Sequence, residues 1–290
     1  MAQILYPPQR PQSVGEILDS AFRIFTSTLL SCIALAVIGR IAAQLPNIYS
    51  LLTGGPRSLV FAARDPKWWG LYVVGLCLAL WLWGAMLLRQ HARATGAQAS
   101  LGAELGTATR RLPGLLGIVV LMFLALVACA MPIGIVAGIF QSGMTRLNPA
   151  LGIAFIILLV LIPMAWLALR WSCAGTMYLL EEGRGPLASM SRSWQLTAGS
   201  FWRLSLIYTV ALVLIVVIEV LSGIVTGLVA AVLAHGDVAV TIAVMTTSMV
   251  LLNSVALPFY SAIALVVLAD LEVRKEGVDL AQRIAAPATP

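Results

Sequence analysis

LSLIYTVALVLIVVIEVLSGIVTGLVAAVLA, residues 204–234, holds one charged side chain, Glu219, in thirty-one positions. A helix needs about 20 apolar residues to cross a ~30 Å hydrocarbon core, and this run exceeds that length. A membrane barrel would show ten-residue strands of alternating polarity. No such alternation occurs, so the run predicts a helix. Five further runs read the same way, at roughly 28–46, 68–88, 114–140, 150–169 and 239–269. The longer ones must tilt, kink or project beyond the bilayer, and Pro132, Pro163 and Pro258 lie inside runs as natural kink sites.

The composition agrees. The chain is 60% hydrophobic and 10% charged, with a mean hydropathy of +0.97, whereas a soluble domain carries about 25% charged residues. A water-soluble globule is excluded, and the +6 net charge speaks first to topology. With no nucleic-acid motif present, nucleic acid is discarded as a partner. The expected fold is an all-α integral membrane bundle of six transmembrane helices.

Lys and Arg set the orientation. Thirteen lie in the N-terminal segment, the connections after spans two and four, and the C-terminal tail; four lie on the opposite side; Arg40 falls within span one. Both termini are therefore expected in the cytoplasm. Trp68 and Trp69, after Lys67, read as an interfacial anchor at the outer boundary. The first 23 residues fit no signal-peptide pattern, so span one is expected to be an uncleaved anchor.

An amphipathic stretch precedes each odd-numbered span. Val14, Ile17, Leu18, Ala21, Phe22 and Phe25 fall on one helical face, opened by the Ser13/Glu16 capping box. Leu101, Leu105, Ala108 and Leu112 repeat the stripe, and Leu187, Met190, Trp194, Ala198 and Phe201 do so again. A shift of 87 positions matches Ser13 to Ser100, Gly15 to Gly102, Leu18 to Leu105, Ala21 to Ala108 and Arg23 to Arg110. The expectation is a single domain over 1–277 built as a threefold helix–span–span repeat, with units 13–99, 100–186 and 187–277. Its three amphipathic helices would lie in the cytoplasmic interface, and a tail over 278–290 would be disordered at its end.

Charge inside a bilayer is the strongest pointer to function. Glu219 lies roughly 22 Å into span five, with Arg40 as its obvious partner and Asn253 as a third polar group. A Glu219–Arg40 pair fixing span one against span five competes with a protonatable Glu219 on an ion or substrate path. Gly134/Gly138 and Gly223/Gly227 are small-xxx-small pairs suited to helix packing. Arg89, Arg93, Arg110 and Arg111 are candidate contacts for anionic lipid heads or cytoplasmic partners. Cys32, Cys77, Cys129 and Cys173 have no metal or redox spacing, and neither His91 nor His235 has a ligand neighbour at i+3 or i+4. No catalytic residue, cofactor or metal is expected.

Three stretches resemble one family. Ser13-Val-Gly-Glu-Ile-Leu-Asp-Ser-Ala-Phe-Arg-Ile-Phe is similar to the opening of a poorly characterised group of bacterial six-span membrane proteins, often labelled after the membrane domain of glycerophosphoryl diester phosphodiesterases. Arg192-Ser-Trp-Gln-Leu-Thr-Ala-Gly-Ser-Phe-Trp-Arg resembles the element before its fifth span, and Asp270-Leu-Glu-Val-Arg-Lys-Glu-Gly-Val-Asp-Leu its closing segment. The phosphodiesterase activity belongs to a separate soluble domain, so the resemblance supplies no catalytic residues. It implies a bacterial inner-membrane location and a helper or integrating role beside ATPase or cell-envelope partners, and it draws attention to Asp270, Arg274 and Glu276. The leading expectation is thus a non-enzymatic scaffold or accessory subunit among membrane lipids and membrane or cytoplasmic proteins. The alternative is a small transporter or lipid-handling permease with Glu219 in its pathway.

Overall fold

The chain enters its first helix through the expected capping box. Ser13 Oγ accepts from the Glu16 backbone N–H at 3.3 Å, and Glu16 Oε2 takes the Ser13 N–H at 2.7 Å. The structure, a computed structural model, describes residues 8, 10–53, 65–97, 100–147, 149–234 and 237–285, with side chains absent from the description mainly within 136–157, 238–249 and 276–285. Among these residues there is no strand. The helices are α1 (Val14–Ala43), α2 (Leu45–Leu52), α3 (Pro66–Ala94), α4 (Leu101–Leu147), α5 (Pro149–Arg170), α6 (Ala174–Leu180), α7 (Pro186–Thr197), α8 (Phe201–Ala234) and α9 (Val238–Ala285).

Six segments are long and apolar enough to cross a membrane: Val14–Ala43, Pro66–Ala94, Leu101–Ile135, Leu158–Leu180, Phe201–Leu233 and Val250–Lys275. Each overlaps one of the six expected runs, and the chain is a multi-pass membrane protein. Pro132, Pro163 and Pro258 fall inside α4, α5 and α9, which continue through them, as α4 also does through Pro113.

The amphipathic stretches do not form alike. The first is the opening of the 30-residue α1 and the second the opening of the 47-residue α4, so each shares one helix with its span. Only the third stands apart, as α7. Ala198 is extended and Gly199 adopts φ +79°, a left-handed turn that glycine makes without a Cβ clash, and α8 then starts afresh at Phe201. In the tail α9 stays helical to Ala285, and the end of the tail, 286–290, lies outside the described residues.

Contacts divide the chain into two compact units, one comprising the described residues up to Leu112 and from Leu206 on, the other Pro113–Ser205. These divisions do not coincide with the boundaries at 99/100 and 186/187 expected for a threefold repeat. In the first unit α1 packs against α3 and α9. Ile17, Ala21, Ile24, Thr28, Cys32 and Leu35 are buried at three- and four-residue spacing, one continuous helical stripe. Cys32, Leu35 and Ala36 meet Leu82, Ala85 and Met86 of α3 and Ala108 of α4. Phe22 and Phe25 stand edge-on to Phe259, with ring centroids 5.5 and 5.6 Å away.

At the opposite end, Asp65 caps α3 by accepting the Lys67 N–H at 2.9 Å, and Tyr49 of α2 donates to the same carboxylate at 3.0 Å. The Lys67 N–H holds this carboxyl below its usual range, and the Tyr49 hydroxyl acts in the same direction. Directly beyond the cap, Trp68 stacks on Tyr72 at 5.6 Å and meets Trp69 edge-on, the aromatic belt expected at a membrane boundary.

In the second unit Ile118 of α4, Ala174 of α6 and Met190 of α7 form a buried cluster with Leu121, Met122, Trp171 and Tyr178 around it. The end of α5 is tied to α7 by polar bonds. Ser193 and Thr197 hydroxyls donate to the Arg170 carbonyl at 2.9 and 3.3 Å, and Arg170 Nη1 donates to the Trp194 carbonyl at 3.3 Å. The third amphipathic helix is thereby docked on the end of span four.

Candidate functional site

Polar groups within the first unit gather in three places, each with its own geometry. The first is buried between α1, α3 and α9. Gln90 has no exposed surface; its Nε2 donates to the Pro258 carbonyl at 2.8 Å and reaches Thr28 Oγ1 at 3.4 Å, while its Oε1 accepts the Ser261 hydroxyl at 2.6 Å. One amide thus joins three helices at the turn where Pro258 removes a backbone donor from α9. Replacing it with Leu removes the Gln90 donor from the Pro258 carbonyl and the shortest acceptor of the Ser261 hydroxyl, which is left with the Leu257 and Pro258 carbonyls at 3.3 and 3.0 Å. Gln90→Leu is expected to cost about 1–3 kcal/mol, read as a lower unfolding midpoint of the purified chain in detergent.

Nearby, Arg89 Nη1 lies 3.6 Å from Glu104 Oε2. Both side chains are largely buried, and neither Glu104 oxygen accepts a hydrogen bond among the described residues. The separation is beyond hydrogen-bond range, so the pair is held by charge alone. Arg89, expected at lipid heads, therefore points inward. Arg93 and Arg110 are exposed and Arg111 half-buried.

The third place joins the two ends of the unit. Asp270 is 2% exposed. Its Oδ1 accepts the Gln12 backbone N–H at 2.8 Å and its Oδ2 accepts Arg274 Nε at 3.0 Å, while Arg274 Nη2 donates to the Gln12 carbonyl at 2.7 Å. Both polar groups of one peptide residue before α1 are held by one turn of α9. Asp270 and Arg274, to which the resemblance drew attention as candidate lipid or partner contacts, form a clamp within the chain. The side chain of Glu276 lies outside the described residues.

The intramembrane residues are not brought together. No ion pair or hydrogen bond joins Glu219 to Arg40 among the described residues. Arg40 sits in the last turn of α1, half-buried, with its Nε buried and without a hydrogen bond. Glu219 is exposed near the middle of α8, and so are its neighbours: Val216, Val217, Ile218, Val220 and Leu221 are 46–58% exposed. These six consecutive residues span the whole circumference of the helix, so among the described residues α8 is exposed around its circumference at this height. Asn253 is half-buried on α9. The glycine pairs are equally open: a Cβ built on Gly134, Gly138, Gly223 or Gly227 meets nothing within 4 Å. The close packing that small residues permit occurs elsewhere, at Gly75 of α3, where a Cβ would strike the Ala42 carbonyl of α1.

Comparison with known proteins adds no relative. No family model, curated protein or solved structure matches this chain.

Two of these groups left a trace in the sequence that the apolar runs hid. Gln90 follows Leu82 and Met86 at four-residue steps on the buried face of α3, yet it sits inside the basic stretch Arg89–Arg93. Glu104 lies one turn before Ala108 on the buried stripe of α4 and occupies the position that the 87-residue shift equates with Ile17.

Proposed function

We propose that this chain is a non-enzymatic scaffold or accessory subunit of a cell-envelope system in a bacterial inner membrane. Both termini are cytoplasmic, and α8 makes the contact with another membrane helix. The location and the integrating role follow the family resemblance of the three quoted stretches; the orientation follows the Lys and Arg imbalance. The observation that carries the contact is the bare central stretch of α8. A carboxylate in hydrocarbon is costly, and Glu219 is exposed. Gly223 and Gly227 follow it at four-residue steps on the same helical line, with open space above each. A partner backbone could approach closely along the glycines and offer a donor to the carboxylate, the combination that drives helix association in membranes. A carrier path would need Glu219 within the bundle, and its exposure favours the contact.

Glu219→Leu is expected to lower the assembled fraction, read by native electrophoresis of detergent extracts, by roughly 3- to 15-fold, the worth of one interhelical polar contact. The melting of the isolated chain should be unchanged, because Glu219 has no partner among the described residues. Glu219→Gln and Arg40→Gln should change stability additively, within about 0.5 kcal/mol. If either alone unfolds the chain and the two together restore it, the residues are a structural pair and the proposal fails.

A further inference from the structure

The second unit holds a groove of about 530 Å³ where α7 lies against α4. Leu121 and Ala125 of α4 and Leu187 and Met190 of α7 give it an apolar lining, with the rings of Trp171 and Trp194. Leu187 is 69% exposed, so the groove is open to its surroundings. Two exposed polar side chains, Ser191 and Gln195, also line it. The lining is therefore amphiphilic, and the apolar part is too large to be left to water without cost.

Charge selects the occupant. Arg170 lies against the Trp194 wall of the groove, its Cζ 4.9 Å from that ring and 5.3 Å from the ring of Trp166. Trp166 and Trp194 pack edge-on at 5.3 Å, so the guanidinium is fixed beside two aromatic faces. Its Nε is buried without a hydrogen bond among the described residues, and its bond to the Trp194 carbonyl uses only Nη1, which leaves donors in its fork for an anion. Among the described side chains of this unit Arg170, Arg184, Arg192 and Arg203 outnumber Glu181 and Glu182, and Arg184 pairs with Glu181. The place suits a lipid as well: the apolar run 150–169 stops at Arg170, and tryptophans cluster there as they do at membrane boundaries. We propose that the groove holds an acyl chain of an anionic phospholipid of the adjoining leaflet, whose phosphate is taken by Arg170 with Ser191 and Gln195. α7 then serves as a lipid-reading element docked on span four. This inference is independent of the contact proposed for α8, and it needs no assignment of which leaflet is involved.

The test uses the full chain, purified and delipidated in detergent, with native mass spectrometry counting retained lipids. The probes are phosphatidylglycerol and phosphatidylcholine with identical acyl chains. The wild type should retain phosphatidylglycerol about fivefold over phosphatidylcholine, the difference made by one basic residue at a membrane surface. Arg170→Gln should bring the ratio close to one. Because Arg170 also ties α5 to α7, Ala125→Phe provides a second arm: it fills the groove and should lose retention of both lipids, with helicity and melting unchanged. Retention of neither lipid by the wild type would give the groove to another occupant, such as a protein helix, and overturn the proposal. A phosphatidylglycerol preference that survives both substitutions would assign it to scattered surface charge and overturn it equally.

Discussion

Asp270→Ala is expected to release the segment before α1 and to destabilise the chain by roughly 2–4 kcal/mol. The carboxylate is almost fully buried and serves two donors at once, the Gln12 N–H and Arg274 Nε. Its removal leaves a backbone N–H and a guanidinium without their acceptor, and breaking a buried pair from one side costs about 3–5 kcal/mol. The side chain of Arg274 is 37% exposed, so water recovers part of that loss and the lower range applies. Asp270→Asn keeps an acceptor for Gln12 but loses the charge facing Arg274, and it should fall between the two. Hydrogen exchange at the Gln12 amide reads the clamp directly: protection should fall in Asp270→Ala together with the unfolding midpoint. Unchanged protection at Gln12 would mean that the clamp does not hold the segment.

Gly75→Ala is the second large effect. The added Cβ would strike the backbone carbonyl of Ala42, which cannot rotate away as a side chain could, so α1 and α3 must separate. Overpacking of this kind costs about 1–3 kcal/mol and occasionally more; the backbone obstacle puts Gly75→Ala at the upper end. Gly39→Ala on the facing helix is the control. Its Cβ would lie 3.5 Å from Leu82 Cβ, ordinary van der Waals contact, and the substitution should be nearly neutral. Unfolding of both variants in detergent measures the contrast, and equal midpoints would contradict the close α1–α3 approach.

These two sites mark the limit of what the sequence discloses. Solvent preference and capping are local, so six apolar helices and the Ser13/Glu16 cap are legible in short stretches of sequence. Asp270 is different: its partner Gln12 is 258 positions away, and a charged residue beside a span looks the same whether it faces lipid heads or a buried amide. Glycine spacing misled for a similar reason. Gly223 and Gly227 carry the packing signature but meet open space, while Gly75, with no glycine at that spacing, lies where a Cβ would strike the backbone of the facing helix. A small residue permits close packing; only the neighbouring helix decides whether it happens. The amphipathic stretches show a third limit. Apolar periodicity gives a helix and its face, but a separate short helix and the opening of a long one differ only by a break such as the one at Gly199, which α1 lacks.

The most direct test is the side of the membrane on which each connection emerges. Single cysteines placed at 64, 95, 146, 182 and 277, in a chain lacking the four native cysteines, can be treated with an impermeant maleimide on spheroplasts. Arg64→Cys and Arg146→Cys should label on intact spheroplasts, and Thr95→Cys, Glu182→Cys and Gly277→Cys only after lysis. Labelling of Glu182→Cys from outside, or protection of Arg146→Cys until lysis, would contradict a six-span chain with both ends in the cytoplasm.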